Sequence, residues 1–243
     1  MQQQFDSSPE PKFLYTHVIL QDIKLKNHYY SVKFPKRQLS GEDVANTCND
    51  PNHKRIPPEH IWPKIENNLT ICPDPSSPDI YIKRPRFTDY SGPDSLSKWL
   101  LQEARICELL INKSHPNVAQ YFGCVVEDGC ITGLCFKRYG QTLVERCRGR
   151  SLNNEDCLRQ IAAGLDFLHS LGIVHNDVCM ENVMFKSHFD DTPVIIDFDA
   201  SAVRGCPLTG KQGGLPDGIC TAEFRNDDYG LERLGREIGA GSK

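Results

Sequence analysis

The sequence predicts an α+β chain of two lobes, a small β-rich lobe followed by an incomplete helical one. Three observations carry this expectation. Short apolar runs with strand-like alternation cluster before residue 137, two longer stretches repeat apolar residues at helical spacing, and the chemically richest polar residues stand at the ends of short apolar runs between 173 and 199. At 243 residues, 39% hydrophobic and 25% charged, the chain has ordinary globular composition and length for one large domain or two small ones.

Residues 1–11 are polar, without a basic n-region or an apolar h-region, and nowhere do 18 apolar residues run together. The expectation is a soluble, intracellular protein, cytoplasmic with the nucleus also open, and without a membrane partner. A polar tail is expected as far as Lys12. Residues 13–34 then alternate apolar and polar side chains around Lys24-Leu25-Lys26-Asn27, as two half-buried strands joined by a turn would. Residues 46–63 collect Asn49-Asp50-Pro51-Asn52, Pro57-Pro58 and Pro63. Proline has no amide hydrogen to give a helix or a central strand, so a loop or linker is expected there.

Asp79-Ile80-Tyr81-Ile82-Lys83-Arg84 reads as a strand ended by Pro85, and residues 95–112 as a helix through Leu96, Leu100, Ile106, Leu109 and Leu110, closed by His115-Pro116-Asn117. Two further strands are expected at 118–126 and 130–136, around a turn at Glu127-Asp128-Gly129. The clearest helix starts at Asn154, its expected N-cap, and runs along Leu158, Ile161, Ala162, Leu165 and Leu168 until Gly172. Ile173-Val174, Val183-Met184-Phe185 and Val194-Ile195-Ile196 follow as short apolar runs. The domain reading is an N-terminal extension over 1–65, with a β-hairpin and a proline-rich loop, then one domain over 66–240. Within that domain the small lobe covers about 66–137 and the partial large lobe about 140–240.

Twenty-eight basic against 32 acidic residues give a net charge of -4, so no basic field points to nucleic acid as a partner. Eleven scattered cysteines, an odd number with no C-x-x-C pair, read as reduced thiols. Cys48 with His53 and His60 offers too few ligands for zinc.

The chemistry concentrates in His175-Asn176-Asp177, in Asn182 five positions past Asp177, and in Asp197-Phe198-Asp199. Phosphoryl transfer needs a carboxylate to orient the attacking hydroxyl, oxygen ligands for Mg2+ on the phosphates, and a cation on the nucleotide. Asp177, Asn182, Asp197 and Lys83 make up that inventory.

Residues 80–235 resemble the catalytic core of eukaryotic protein kinases, most of all the divergent kinase-like proteins of filamentous fungi. The run from His175 to Asn182 is similar to the H-R-D-L-K-P-E-N catalytic loop, and Asp197-Phe198-Asp199 to D-F-G. The resemblance implies a two-lobed kinase-like fold that uses ATP and Mg2+. It implies that Lys83 grips the phosphates and is set by Glu103, that Asp177 positions the acceptor, and that Asn182 and Asp197 hold the metal. Phe136 would be the gatekeeper beside adenine, with the backbone of Lys137 to Tyr139 facing the base. Asp227, in Asn226-Asp227-Asp228-Tyr229-Gly230-Leu231, would brace the catalytic loop.

Several positions depart from the family's pattern. No glycine occurs between Gly41 and Gly92, and Cys72-Pro73-Asp74-Pro75-Ser76-Ser77-Pro78 stands where the glycine-rich loop belongs, so the hold on ATP should fall more on Lys83 and Mg2+. Tyr81 replaces a small alanine, Asn176 the arginine that receives an activation-loop phosphate, Cys179 a lysine beside the transferring group, and Asp199 the D-F-G glycine. No phosphate switch is expected at Asn176. Thr221-Ala222-Glu223 echoes A-P-E without a later arginine for Glu223, and the apolar face of the last helix is expected to be poorly covered unless a partner covers it. The leading reading is an ATP-dependent serine/threonine protein kinase with an unknown protein substrate. A pseudokinase serving as a binding or scaffold module, and a small-molecule kinase of the aminoglycoside or choline type, stay open at this point.

Overall fold

A computed structural model describes residues 1–5, 8, 10–21, 29–47, 54–93, 95–149, 152–208 and 214–240. The Lys24–Asn27 turn, the Asn49–Asn52 run, Cys48 and His53 lie outside them. The chain divides into two compact units, Met1–Lys64 with Pro85–Lys98, and Ile65–Arg84 with Trp99–Lys243.

The first unit holds strands β1 (Gln2–Phe5), β2 (Phe13–Gln21) and β3 (Tyr29–Phe34), helix α1 (Gly41–Thr47) and strand β4 (Lys54–Ile56). The strands pair antiparallel in the order β1-β2-β3-β4. Side chains alternate across a strand, so Thr16, Val18 and Phe34 form one buried face. Two expectations are corrected here. The polar tail contains β1, because ladder hydrogen bonds come from the backbone and glutamines suit an edge strand. The expected linker contains the end of α1 and all of β4, which lies at the other sheet edge and stops before Pro57, so no proline interrupts it. Helix α1 is capped reciprocally, with Ser40 Oγ accepting the Asp43 amide at 3.1 Å and Asp43 Oδ2 accepting the Ser40 amide at 2.9 Å.

The second unit opens with β5 (Ile80–Lys83), α2 (Ser95–Glu108), β6 (Tyr121–Glu127) and β7 (Cys130–Lys137), the first residues of α2 belonging to the first unit. β5, β6 and β7 form an antiparallel sheet in the order β5-β7-β6. Ahead of β5, where the glycine-rich loop is missing, the chain is strapped to β6. Cys124 donates to the Thr70 carbonyl at 2.8 Å and accepts from the Cys72 amide at 2.9 Å. Gly123 makes that approach possible: its φ is +122°, and a Cβ there would stand 2.7 Å from Cys72 N and 2.8 Å from Thr70 O. Gly123→Ala is therefore expected to cost about 2–3 kcal/mol of unfolding free energy, read as a lowered urea midpoint at unchanged slope.

The helical part holds β8 (Gln141–Thr142), α3 (Leu143–Gly149), α4 (Asn154–Ser170), β9 (Ile173–Val174), β10 (Val183–Phe185), β11 (Val194–Ile195), β12 (Ala202–Val203) and α5 (Phe224–Ala240). β11, β10 and β8 form one small sheet, and β12 pairs with β9. The cap of α4 is Asn153 rather than Asn154, and its side chain accepts the Asp156 amide at 3.1 Å. The apolar face of α5 is not poorly covered: Leu234 and Ile238 are buried, and α5 packs on α4 closely enough that a Cβ at Gly235 would touch Leu158. Among the described residues no helix is long and apolar enough to cross a membrane. The architecture is α+β, with a β-rich N-terminal region ahead of the helices.

Candidate active site

Strand β5 ends on Lys83, and helix α2 carries Glu103 on its buried side. The Lys83 ammonium donates to Glu103 Oε1 and to Asp197 Oδ1, each at 2.6 Å. Glu103 Oε1 also accepts the Phe198 amide at 3.2 Å, so one carboxylate positions both the lysine and the Asp-Phe-Asp turn. Burial works against the Lys83 charge, but the Glu103, Asp197 and Asp199 carboxylates outweigh it and raise its pKa. Burial pushes Asp197 up, yet Lys83 and the Asp199 amide bring its carboxyl down to about 2. Burial, with Lys83 pulling the other way, leaves Glu103 raised.

The sign for stability follows from Asp197, whose ordinary value is 3.8. A depressed native pKa stabilises the fold above the unfolded value, and that stability is lost as pH falls toward 2. The difference in unfolding free energy, from urea titrations, between the parent and Asp197→Asn should stay constant above about pH 5 and change by about 2 kcal/mol between pH 5 and 2.

The loop after β9 is organised from beneath by α5. Asp227, fully buried, accepts the His175 amide at 2.9 Å, the Asn176 amide at 2.7 Å and His169 Nε2 at 2.8 Å. Gly230 lets α5 come this close, since a Cβ there would stand 2.8 Å from the Val178 side chain. Asn176 has a left-handed φ of 64°, and its amide nitrogen donates to the Val174 and Ala200 carbonyls while its oxygen accepts from Asn226. Every polar atom of this side chain is thus occupied by protein.

His175 Nε2 meets the Ile196 carbonyl at 3.0 Å, and the Ile196 amide donates to the Asn182 carbonyl at 2.9 Å. These bonds tie the loop to the chain entering Asp197. Asn182 Nδ2 donates to both the carbonyl and Oδ2 of Asp177, at 2.9 and 2.8 Å, which turns its oxygen away from Asp177. Asp177 Oδ1 accepts the Gly214 amide at 3.3 Å, and Arg233 holds the Gly214 carbonyl. Cys179 brings no positive charge to the loop; burial, with the Asp177 charge next, pushes its thiol up to about 12. Asp199 needs no glycine, because the left-handed residue of the turn is Asp197, at φ 66°.

Phe136 is buried between Tyr121 and Phe198, with ring centroids at 5.3 and 6.2 Å. Tyr81 pairs with Phe136 across β5 and β7, on the Lys83 face, and is half exposed. The Lys137 amide donates to the Gln120 carbonyl at 2.9 Å and the Arg138 amide to Asp79 at 2.7 Å, while the Tyr139 hydroxyl accepts the Gln120 amide. The structure therefore brings Lys83, Glu103 and Asp197 into one cluster and Asp177 with Asn182 into another, joined through Ile196. Phe136 meets them through Phe198. Sequence reasoning missed His169 and Asn226, which hold Asp227 and Asn176, and Arg204, which meets Glu223 at 3.3 Å from upstream.

Among known proteins, the family model described as the protein kinase domain matches residues 89–214, just over half of the chain. The human calcium/calmodulin-dependent protein kinase type 1B is 31% identical over 72 residues, 29% of this chain and 21% of its own length. The MAP kinase-interacting serine/threonine-protein kinase mnk-1 of Caenorhabditis elegans is 25% identical over 169 residues, 68% of this chain and 23% of its own. The serine/threonine-protein kinase Tao of Drosophila melanogaster is 27% identical over 139 residues, 51% and 12% of the two chains. The match thus spans less than a quarter of the length of each of these relatives. With the matched segment running through α2, the His175 loop and the Asp197 turn, the chain belongs to the protein kinase superfamily.

Proposed function

We propose that residues 66–240 form an ATP- and Mg2+-dependent phosphotransferase that moves the γ-phosphoryl group to a serine or threonine hydroxyl of a protein. The observation that carries this is Lys83 held at 2.6 Å by both Glu103 and Asp197, since a largely desolvated lysine between two carboxylates is costly unless a role retains it. The serine/threonine assignment leans on the names of mnk-1 and Tao.

The residues fit the metal. Mg2+ is commonly bound by one or two protein oxygens plus phosphates and water, so the ionised Asp197 and the Asn182 oxygen, whose amide nitrogen is held by Asp177, would suffice without a larger acidic cage. When bound, the ion would neutralise charge building up on the phosphates. Lys83 grips the phosphates, Asp177 accepts and aligns the attacking hydroxyl, and Phe136 walls the base. With the Lys137 and Arg138 amides already committed, the Tyr139 amide and the Lys137 carbonyl are the groups assigned to adenine. One observation favours a second reading, a nucleotide-binding module with little turnover: the Cys179 thiol stays neutral where a cation would steady the transferring group, a loss of roughly 10² to 10³ in rate.

Incubation with γ-labelled ATP and Mg2+ tests the proposal against a generic protein acceptor and small alcohols. Slow labelling of protein hydroxyls is expected, falling at least about 10³-fold in Asp177→Asn. Label on small alcohols alone would overturn the protein acceptor, and undiminished labelling in Asp177→Asn would overturn the assigned base.

A further inference from the structure

We infer that the face of β7 opposite Phe136 carries a second ligand site, a pocket that takes a phosphoryl group presented on a peptide side chain. The cavity holds about 230 Å³ and is lined by Lys113, Lys137, Lys186, Ser114, His115 and Tyr139, with Gln120 beside them. Lys137 alternates with Phe136 along β7, so the pocket and the Phe136–Phe198 stack lie on opposite faces of the strand.

The lining is one-sided in charge and in hydrogen-bond sense. Lys113, Lys137 and Lys186 line the cavity and no described aspartate or glutamate does; the Asp190 carboxylate pairs with Lys186 at 3.9 Å from outside the lining. Lys113 gives one hydrogen to the Leu109 carbonyl and keeps two. His115 Nδ1 accepts the Asn117 amide at 3.3 Å, which leaves the hydrogen on Nε2 as a donor. The Tyr139 hydroxyl accepts the Gln120 amide at 3.2 Å, so its own hydrogen is available, as is that of Ser114. Three like charges with one carboxylate at 3.9 Å remain in excess, and an anion relieves their repulsion.

A phosphoryl group suits this set better than a carboxylate, because it brings close to two charges and three acceptor oxygens to three cations and three neutral donors. The volume lies below the range of drug-sized sites, too small for a nucleotide and adequate for the tip of a phosphorylated side chain. Lys113, Pro116, Gln120 and Lys186 are solvent-exposed, so a peptide main chain can remain outside. Lys83, Asp177, Asn182 and Asp197 do not line the pocket; Lys137 and Tyr139 line it and are assigned to adenine only through their backbone.

Fluorescence anisotropy on the full chain tests this with a labelled phosphoserine peptide, its unphosphorylated twin, and inorganic phosphate as competitor. The phosphopeptide is expected to bind saturably and the twin at least tenfold more weakly. Lys113→Gln and Lys186→Gln should each weaken binding by about tenfold at unchanged melting temperature. Equal binding of both peptides, no saturable binding, or affinity unchanged in the two variants would overturn the site. Displacement by inorganic phosphate at concentrations matching the peptide's own affinity would overturn the peptide as the source of the phosphoryl group.

Discussion

Asp227→Ala is expected to lower the unfolding free energy by about 4 kcal/mol and the melting temperature by roughly 10 °C. The Asp227 carboxylate is fully buried and accepts from His175, Asn176 and His169 at 2.7–2.9 Å. Alanine removes a charged acceptor and leaves two buried amides without a partner, each costing about 1–3 kcal/mol. Because those amides belong to the residues just ahead of Asp177, the loop should loosen as well, and any phosphoryl transfer should fall with it. The exposed neighbour is the control: Asp228→Ala should stay within about 0.5 kcal/mol of the parent. Urea unfolding of the three proteins decides, and a parent-like midpoint in Asp227→Ala would mean that the brace carries nothing.

Lys83→Met is expected to have the largest combined effect. It leaves Glu103 and Asp197 facing one another in a buried site without their shared counter-charge, which typically costs about 3–5 kcal/mol unless one carboxyl takes up a proton. Proton uptake would appear as a stability maximum displaced to lower pH than in the parent, since Asp197 would no longer be held near 2. The same variant loses the cation assigned to the phosphates, so the stabilisation that MgATP gives the parent should vanish in it.

The strands, helices and polar clusters of the second unit were legible because local signals agreed there. Apolar runs on either side of the Glu127-Asp128-Gly129 turn marked β6 and β7, the stripe through Ile161, Leu165 and Leu168 marked α4, and Asp177, Asn182 and Asp197 sat at ordered distances from apolar runs. The pairing of Lys83 with Glu103 was legible only through the family resemblance, and the contact of Lys83 with Asp197, 114 residues away, was not foreseen. What escaped was polar chemistry created by tertiary contact. Arg146, on which the sequence reading was silent, is buried over the Phe185 ring and donates to Gln141, Asp191 and the Ser187 and Asp190 carbonyls. Asn226 likewise meets Asn176 across 50 residues of sequence. β1 and β4 escaped for another reason. Edge strands draw their stability from the neighbouring strand's backbone, which leaves little pattern in their own side chains.

The proposed function requires that Lys83, Asp177, Asn182 and Asp197 form a working nucleotide and metal site. Thermal unfolding with and without MgATP tests it most directly. At about 100 times the dissociation constant, ligand should add about 2.7 kcal/mol to the parent's stability, and this gain should be absent in Asp197→Ala and without Mg2+. No shift in the parent at millimolar MgATP, or an equal shift in Asp197→Ala, would contradict it.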